Sequence, residues 1–349
     1  MTDQISALDE TSPVITDSCI RVFQDVSSLR QWRLQQLLNA CPIALVPTMG
    51  ALHEGHLSLA NMAAKDNFAV VVSIYVNPTQ FGVQDDLDSY PKTLLQDLEL
   101  LRRLNDNLAV NIGKQGRIAA VFAPSTEEMY PSGFPSQECD AKGSFVTITP
   151  VGEILEGASR PTFFRGVATI CTKLFNIVTP DRVYFGQKDI QQTLVIKKMI
   201  RDLCFDTQII VGRTQREEDG LAMSSRNVYL GTRRRNAAIV LYQSLLLAEK
   251  KYLEGSRSRD QIIEPAISFI RDEQELRIRD GVKFELDYIS LSDPDTMEEI
   301  DQVNLKKGAI ISGAIKMMPL DSPRRDEDLG LCNGPSVRLL DNIILLPKD

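Results

Sequence analysis

An apolar segment at residues 43–46 ends at Pro47, and a glycine-containing turn then leads into a helical pattern over residues 57–64. The apolar segment predicts a buried strand, and the apolar residues after the turn recur at helical spacing. The chain has two histidines, His53 and His56, and both lie in this turn. A helix start presents unpaired backbone N–H groups and the positive end of the helix dipole, which favour an anion such as phosphate. The segment therefore predicts a strand, an anion-binding turn and a helix.

Three interpretations of the histidine pair are open. An arbitrary H-x-x-H sequence is most often a pair of surface loop residues. A zinc site on a helix usually places two histidines four residues apart and adds a third ligand, whereas this chain has no further histidine. Two imidazoles at a helix start, with Gly55 allowing a ligand to approach the backbone, suit the phosphates of a nucleotide.

Strand and helix patterns alternate through the N-terminal part of the chain. Strands are predicted at residues 19–23, 69–76, 119–123, 182–185 and 208–211, and helices at 27–38, 93–104, 166–178 and 190–203. This alternation predicts an α/β fold, a Rossmann-like parallel sheet with helices on both faces. Ligands in such folds bind beyond the carboxyl ends of the strands. The turns at 48–56, 77–82 and 186–189 all fall there, so we expect them to form one site.

Several local features are also predicted. The first helix is expected to begin at a Ser27 or Ser28 cap and to bury Leu29, Trp32, Leu37 and Leu38. Residues 105–117 are expected to be a surface connection, and residues 124–145 a long loop that precedes a short strand at 145–148. Long loops inside a compact domain are usually lids or binding loops, or else disordered.

The pattern changes after Gly212. Residues 213–230 are polar, and two helices are predicted at 233–253 and 261–277, with strands at 284–289, 309–317 and 338–345 that can pair antiparallel. Residues 318–337 form a polar insertion rich in proline and glycine. We therefore expect a flexible N-terminal extension at 1–18, a Rossmann-like nucleotide-binding domain at 19–212, and a smaller C-terminal α+β lid domain at 213–349.

Composition narrows the class of protein. Charged residues make up 25% and hydrophobic ones 43%, as in globular proteins, and the net charge of −8 argues against non-specific nucleic-acid binding. No apolar segment is long enough to span a membrane. The six cysteines are scattered and predict reduced, mostly buried thiols. The acidic first eighteen residues match neither a secretory signal nor a transit peptide, so a cytoplasmic protein is expected.

The turn that contains His53 and His56 resembles a known sequence signature. His53-Glu54-Gly55-His56 is similar to the HxGH signature of the nucleotidyltransferase superfamily that includes class I aminoacyl-tRNA synthetases. The longer segment from Pro47 to His56 resembles the pantothenate synthetase (pantoate–β-alanine ligase) family. Residues 185–189 are similar to the FGxKD turn of that family, and residues 223–226 resemble its counterpart of the KMSKS loop. The resemblance extends over residues 22–346.

The resemblance implies a two-step ligase. ATP and (R)-pantoate would give pantoyl adenylate and pyrophosphate, and the amine of β-alanine would then attack the acyl carbon to release AMP and pantothenate. The attacking carboxylate is already ionised near neutral pH, so the reaction needs alignment and neutralisation of phosphoryl charge rather than a strong base. Mg²⁺ and a homodimer are also implied.

The resemblance further implies a set of site residues. ATP would be bound by Met49, Gly50, Ala51, Leu52, His53, Glu54, Gly55, His56, Gly186, Gln187, Lys188, Asp189, Gln215, Met223, Ser224, Ser225 and Arg226. Of these, His56 would be the proton donor, and His53, Lys188, Ser224, Ser225 and Arg226 would complete the catalytic group. Pantoate and β-alanine would be bound by Gln80, Gln192, Asn77 and Thr48. Gln96 stands where the family has a carboxylate implicated with magnesium, so the magnesium ion would be held by Asp97 or by ATP alone.

Alternative interpretations accompany these assignments. Taken alone, Lys188 and Arg226 would be ordinary surface charges, and Ser224 with Ser225 could cap a helix. An enzyme of the same fold that makes another nucleotidyl bond, such as a cytidylyltransferase or a phosphopantetheine adenylyltransferase, is one rival. A binding or regulatory protein without catalysis is another, and the intact His56, Lys188 and Arg226 argue against it.

Overall fold

The computed structural model describes residues 19–66, 69–82, 87–110, 116–133, 138 and 142–347. The predicted extension at 1–18 lies outside these residues. The chain divides into two compact units. Unit 1 contains the described residues up to Ile148, together with Arg160–Gly186 and Val195–Gly212, and unit 2 contains Thr149–Ser159, Gln187–Leu194 and the described residues from Arg213 onward.

The secondary structure follows the alternation that the sequence predicts. The strands are β1 (Arg21–Phe23), β2 (Ile43–Thr48), β3 (Ala69–Ile74), β4 (Arg117–Phe122), β5 (Arg182–Gly186), β6 (Gln208–Gly212), β7 (Phe284–Ser292), β8 (Ala309–Met317) and β9 (Val337–Leu345). The helices are α1 (Val26–Leu38), α2 (Glu54–Lys65), α3 (Leu94–Val110), α4 (Thr126–Met129), α5 (Glu156–Ser159), α6 (Phe163–Val178), α7 (Ile190–Asp202), α8 (Gly231–Ala237), α9 (Val240–Leu253) and α10 (Arg259–Arg279).

Unit 1 is built on a six-stranded parallel sheet in the order β1-β4-β3-β2-β5-β6. Ala44 and Val46 of β2 pack in one apolar cluster with residues of α2 and α3. Ile43 and Leu45, which alternate with them, are also fully buried. A strand covered on both faces needs a continuous apolar run, and residues 43–46 supply one. The predicted α/β fold is confirmed.

The direction in which strands are added to the sheet reverses beside β2. The chain leaves β2 to form β3 on one side, and β5 later pairs on the other side. Ligands of open α/β sheets bind at such a reversal, beyond the carboxyl ends of the strands. The turns that follow β2 and β3 therefore occupy the expected position.

Unit 2 contains a three-stranded antiparallel sheet in the order β7-β8-β9. Its core combines residues of α9 and α10 with the buried residues of the sheet, among them Leu245, Ile263, Ile311 and Leu345. The predicted smaller α+β portion, with its three antiparallel strands, is confirmed.

The polar insertion at 318–337 is anchored to α8 and the segment before it. Arg234, which is 1% exposed, donates to the carbonyl oxygens of Leu230 at 2.9 Å, Pro335 at 2.7 Å and Leu329 at 3.2 Å. Next to it, Arg233 forms an ion pair with Glu327. The buried guanidinium of Arg234 thus donates both to the segment before α8 and to the insertion.

Several local predictions are wrong. Helix α3 continues to Val110 instead of ending at residue 104, because the Asn105 side chain exchanges two hydrogen bonds of 2.8 Å with the backbone of Ile118. The first six residues of the predicted connection are therefore helical. Residues 145–148 form no strand, and the backbone N–H of Val146 donates instead to the Thr169 hydroxyl at 3.0 Å.

Helix α1 also differs from its prediction. Its N-cap is Asp25, whose carboxylate accepts the backbone N–H of Ser28 at 2.8 Å, rather than either serine. Leu29 and Trp32 are buried as predicted, whereas Leu37 and Leu38 are 60% and 76% exposed. The helix predicted at 233–253 is two helices, α8 and α9.

Two further findings concern the whole of the described chain. No helix in the described ranges is both long and apolar enough to cross a membrane. Of the five cysteines described, all are free thiols, and only Cys171 is buried, so the prediction of mostly buried thiols is wrong.

Candidate active site

The turn between β2 and α2 is closed by its two histidines. His53 is the N-cap of α2, and its Nδ1 accepts the backbone N–H of Gly55 at 3.1 Å. The backbone N–H of His53 donates in turn to Nδ1 of His56 at 3.4 Å, which completes a capping box. The two rings lie 4.2 Å apart between centroids. Because both Nδ1 atoms are acceptors, each neutral ring carries its proton on Nε2.

The turn needs an unusual backbone ahead of the helix. Gly50 has a φ of 85°, in the region that residues other than glycine rarely adopt, and Ala51 follows with a φ of 50°. The helix begins at Glu54, three residues earlier than the apolar pattern alone indicates. His53 therefore caps the helix and His56 lies in its first turn, where the unpaired N–H groups lie.

Asp97 holds this turn from α3. It is 1% exposed, and its carboxylate accepts the backbone N–H groups of Leu52 at 2.8 Å and Ala51 at 3.1 Å and the hydroxyl of Thr93 at 3.2 Å. Burial raises the pKa of the Asp97 carboxyl, and these hydrogen bonds oppose that rise. Sequence analysis missed this structural role, which joins residues 45 positions apart.

These contacts decide how well Asp97 fits a magnesium ion. Mg²⁺ requires carboxylate oxygens that are available for octahedral coordination. Both oxygens of Asp97 already accept hydrogen bonds from the turn and from Thr93. Across the described ranges, no three His, Cys, Asp or Glu side chains are grouped so that they could hold a metal. The Asp97 site does not fit a protein-held Mg²⁺.

The turn after β3 presents Gln80 through a buried network. Asn77 is fully buried, and its Nδ2 donates to Oε1 of Gln80 at 3.1 Å and to the carbonyl of Gly166 at 3.2 Å. Its Oδ1 accepts the hydroxyls of Tyr130 at 2.7 Å and Thr79 at 3.1 Å. Since the Gln80 oxygen accepts from Asn77, its amide NH₂ is the part of the side chain that could donate to a ligand.

Two further residues support this turn, and neither was predicted. Burial raises the pKa of Tyr130 to about 12, so its hydroxyl stays protonated and donates to Asn77 at neutral pH. Arg160 donates to the backbone carbonyl of Gln80 at 2.9 Å. Gly166 of α6 permits the close approach, because a Cβ there would lie 2.3 Å from the carbonyl oxygen of Thr79.

Unit 1 brings these two turns side by side. The Thr48 hydroxyl donates to the carbonyl of Ser73 at 2.7 Å and accepts the backbone N–H of Gly50 at 3.2 Å. The backbone N–H of Tyr75 donates to the carbonyl of Thr48 at 3.1 Å. Thr48 therefore ties the end of β2 to the end of β3. The resemblance assigns Thr48 to substrate binding, and that assignment stays a prediction.

In unit 2, the residues after Gly186 form a 3₁₀-helix, Gln187–Asp189. The Lys188 ammonium lies 3.0 Å from Oδ1 of Asp189. Asn342 of β9 donates to the backbone carbonyls of Gln187 at 2.8 Å and Lys188 at 2.9 Å. Nothing in the local sequence around residue 342 indicates this contact.

The two adjacent glutamines of α7 have different environments. Gln191 is 5% exposed and donates to the carbonyls of Val151 at 2.8 Å and Ile154 at 2.7 Å, so it holds the segment before α5. Gln192, the residue that the resemblance assigns to substrate, is half-buried. The pair therefore divides into a structural residue and a candidate binding residue.

Residues 213–230 are also held within unit 2. The backbone N–H of Met223 donates to the carbonyl of Gln215 at 2.9 Å. Ser224 caps the 3₁₀-helix Ser225–Tyr229, and its hydroxyl accepts the N–H of Arg226 at 3.2 Å, so the helix-cap interpretation of this serine is correct. Asn227 donates to Glu217 at 3.0 Å and to the carbonyl of Ala222 at 3.1 Å.

The known proteins that match this chain in sequence belong to one enzyme family. The family model for pantoate-beta-alanine ligase matches residues 21–344. A pantothenate synthetase of Acetivibrio thermocellus is 41% identical over 326 residues, covering 93% of this chain and 99% of that protein. One from Roseiflexus castenholzii is 43% identical over 292 residues, covering 84% of this chain and 94% of that protein.

Two solved structures share the fold. The crystal structure of pantothenate synthetase from Thermus thermophilus has a TM-score of 0.73 and 34% identity, covering 94% of this chain and all of that one. The pantoate-beta-alanine ligase from Francisella tularensis, complexed with beta-gamma ATP and beta-alanine, has a TM-score of 0.63 and 30% identity, covering 93% of this chain and 97% of that one. On these matches, which confirm the resemblance and the predicted ligase class, the chain belongs to the pantoate–β-alanine ligase family.

Proposed function

We propose that this chain condenses (R)-pantoate with β-alanine, with cleavage of ATP, through a pantoyl adenylate, to give pantothenate, AMP and pyrophosphate. The observation that carries the proposal is the family match from residue 21 to residue 344, which includes each of the predicted turns. The structure of the Francisella tularensis relative contains beta-gamma ATP and beta-alanine, which supports the same substrates here.

In unit 1, the turn from Met49 to His56 is proposed to bind the ATP phosphates. It lies at the start of α2, where the helix dipole and unpaired N–H groups favour an anion. His56 is the proposed proton donor, because its Nδ1 accepts from the backbone and its Nε2 carries the proton. Donors aimed at developing phosphoryl charge lower the barrier to transfer.

The turn after β3 is the proposed pantoate subsite. Gln80 offers its amide NH₂, oriented by Asn77, to the carboxylate or hydroxyls of pantoate. Asn77 itself is fully buried and bonded within the protein, so its proposed role is to orient Gln80. Thr48 supports the adjoining turn, and Gln192 is proposed as the second amide for pantoate.

In unit 2, Lys188 and Arg226 are the proposed cations for the phosphates, and Ser224 and Ser225 the proposed hydroxyl donors. Gln187, Asp189, Gln215 and Met223 of this unit, and Gly186 of unit 1, are proposed to contact the nucleoside. Mg²⁺ is proposed to accompany the ATP phosphates, since Asp97 does not fit a protein-held ion.

The remaining expectations are also proposals. We propose a homodimer in the cytoplasm, with domains at 19–212 and 213–349 after the N-terminal extension. Light scattering on the purified chain should give twice the mass of 39.0 kDa. A monomeric mass would reject the dimer without bearing on catalysis.

An exchange assay tests the reaction itself. Labelled pyrophosphate should enter ATP in the presence of pantoate, and it should do so without β-alanine. Release of pantothenate should then require β-alanine. Exchange that depends on pantetheine phosphate, or on CTP in place of ATP, would instead identify another nucleotidyltransferase.

His56→Ala tests the proposed proton donor. The variant should lose exchange by several orders of magnitude while its circular dichroism spectrum is retained. Lys65→Ala, at the exposed end of the same helix, is the matched control and should exchange at the wild-type rate. Near-normal exchange by folded His56→Ala would remove His56 from its proposed role.

A further inference from the structure

The edge strand of unit 2 contacts both segments that carry the proposed ATP-binding residues of that unit. Asp341 and Asn342 are adjacent on β9, one of the two outer strands of the three-stranded sheet, and they are 4% and 1% exposed. Consecutive side chains of a strand point to opposite faces, so two neighbouring residues can hold two separate segments.

Asn342 holds the turn that carries Lys188. Its Nδ2 donates to the carbonyls of Gln187 and Lys188 at 2.8 and 2.9 Å, and its Oδ1 accepts from the Gln187 amide at 3.3 Å. Both carbonyls belong to the short 3₁₀-helix Gln187–Asp189, which has few internal hydrogen bonds to fix it. The side chain of Asn342 therefore restricts the position from which the Lys188 ammonium reaches out.

Asp341 holds the other segment through Arg216. The guanidinium of Arg216 binds the Asp341 carboxylate with two contacts, at 2.5 and 2.9 Å, and also donates to the carbonyl of Gly220 at 3.0 Å. It stacks on the ring of Tyr242, 3.7 Å from the centroid. A bidentate pair of this kind fixes orientation as well as distance.

Backbone hydrogen bonds connect the Arg216 segment to the residues that precede the 3₁₀-helix Ser225–Tyr229. Arg216 forms an antiparallel bridge with Ala222, and the carbonyl of Gln215 accepts the N–H of Met223 at 2.9 Å. Ser224 and Arg226 follow directly. The Asp341 carboxylate also accepts the backbone N–H of Asn342 at 2.8 Å, which links the two restraints on β9.

We propose that Asp341 and Asn342 are positioning residues for ATP, which keep Lys188 and the Met223–Arg226 segment at a fixed spacing within unit 2. The inference rests on the proposed function, in which those residues contact the phosphates. The reaction rate falls steeply when the side chains that contact the transition state are displaced. Buried hydrogen bonds to the backbone of those residues prevent such displacement.

Asn342→Asp is the first test, because it keeps the size of the side chain and removes its two N–H donors. The introduced carboxylate would face two carbonyl oxygens and displace the turn. We expect the KM for ATP in pyrophosphate exchange to rise by about ten-fold or more, since a misplacement of ~1 Å can cost about 100-fold. The KM for pantoate should not change.

Arg216→Lys is the second test, at a side chain that is 20% exposed. Lysine keeps the charge but cannot make the two-contact pair with Asp341. It should shift the KM for ATP in the same direction, and Arg216→Lys combined with Asp341→Asn should be no worse than the stronger single variant. Additive losses in the double variant would contradict a role of Asp341 through Arg216.

Leu345→Ala separates positioning from stability. Leu345 lies on the same strand, is 2% exposed and belongs to the apolar core of unit 2. Its truncation should lower the thermal midpoint and leave the KM for ATP of the folded enzyme unchanged. An equal rise in the KM for ATP in Leu345→Ala would mean that β9 has only a structural role and would overturn the inference.

Lys188→Ala and Arg226→Ala distinguish the two levels of the argument. If either abolishes exchange while Asn342→Asp and Arg216→Lys keep the wild-type KM for ATP, the positioning role is rejected and the proposed function stands. If both alanine variants exchange normally, the assignment of these cations to ATP fails, and the inference fails with it.

Discussion

The carboxylate of Asp97 accepts the backbone N–H of Leu52 at 2.8 Å, and that of Ala51 at 3.1 Å, from a helix 45 residues further along the chain. Asp97→Ala would remove the acceptor of the buried Leu52 N–H, and a buried group left unsatisfied costs about 1–3 kcal/mol. We expect a lower free energy of unfolding in urea and a higher KM for ATP.

Asp106→Ala is the matched control for this variant. Asp106 lies on the same helix, and its side chain is 60% exposed and paired with Arg102 at the surface. It should keep both the stability and the KM for ATP of the wild type. If Asp97→Ala changed only the Mg²⁺ concentration needed for half-maximal exchange, Asp97 would be a metal ligand and the turn-holding role would be wrong.

His53 can be separated into a helix cap and an imidazole. Its Nδ1 caps α2 through the N–H of Gly55. Asparagine is a good N-cap, whereas loss of a cap costs about 0.5–2 kcal/mol. His53→Asn should therefore unfold near the wild-type temperature and His53→Ala below it, while both lose exchange activity. Wild-type exchange by His53→Asn would show that the ring serves only as a cap.

In the proposed pantoate subsite, Tyr130 supports Gln80 through Asn77. Its hydroxyl donates to Asn77 at 2.7 Å, and Tyr130→Phe would remove that bond, worth about 1 kcal/mol. The freed Asn77 should orient Gln80 less well, so the KM for pantoate should rise and the KM for ATP should not. Tyr75→Phe is the control, because its hydroxyl makes a long 3.4 Å contact with Thr126. Equal effects on both substrates would contradict this account.

The ion pair that attaches the 318–337 insertion should make the stability of the protein depend on pH. The ion pair with Arg233 lowers the pKa of Glu327 to about 2, from an ordinary value of 4.5. A carboxyl whose pKa is lowered on folding stabilises the folded state above its unfolded pKa, and that contribution is lost as the pH falls towards the folded pKa. Thermal stability should therefore fall more steeply below pH 4.5 in the wild type than in Glu327→Gln. Parallel curves would mean that the pair contributes nothing.

The spacing of apolar residues along the chain predicted a helix or strand correctly where those apolar residues are in fact the buried ones. Helix α6 buries Val167, Ile170, Leu174 and Val178 as its spacing indicates, since one face of an amphipathic helix meets the core. The pattern failed for Leu37 and Leu38 of α1, which are apolar but exposed. Periodicity reports which residues could be buried, and the neighbouring elements determine which of them are.

By itself, the sequence determined the strand–turn–helix around His53 and His56, the parallel α/β fold and the family. These follow from short-range patterns, because strand and helix periodicity, glycine turns and helix starts involve residues close in the chain. Only the tertiary structure decided that Asp97 binds the Leu52 backbone and that Asn342 binds the carbonyl of Lys188, which is 154 residues away. A side chain finds a backbone partner at that separation only once the intervening elements have packed, so no local pattern records the contact.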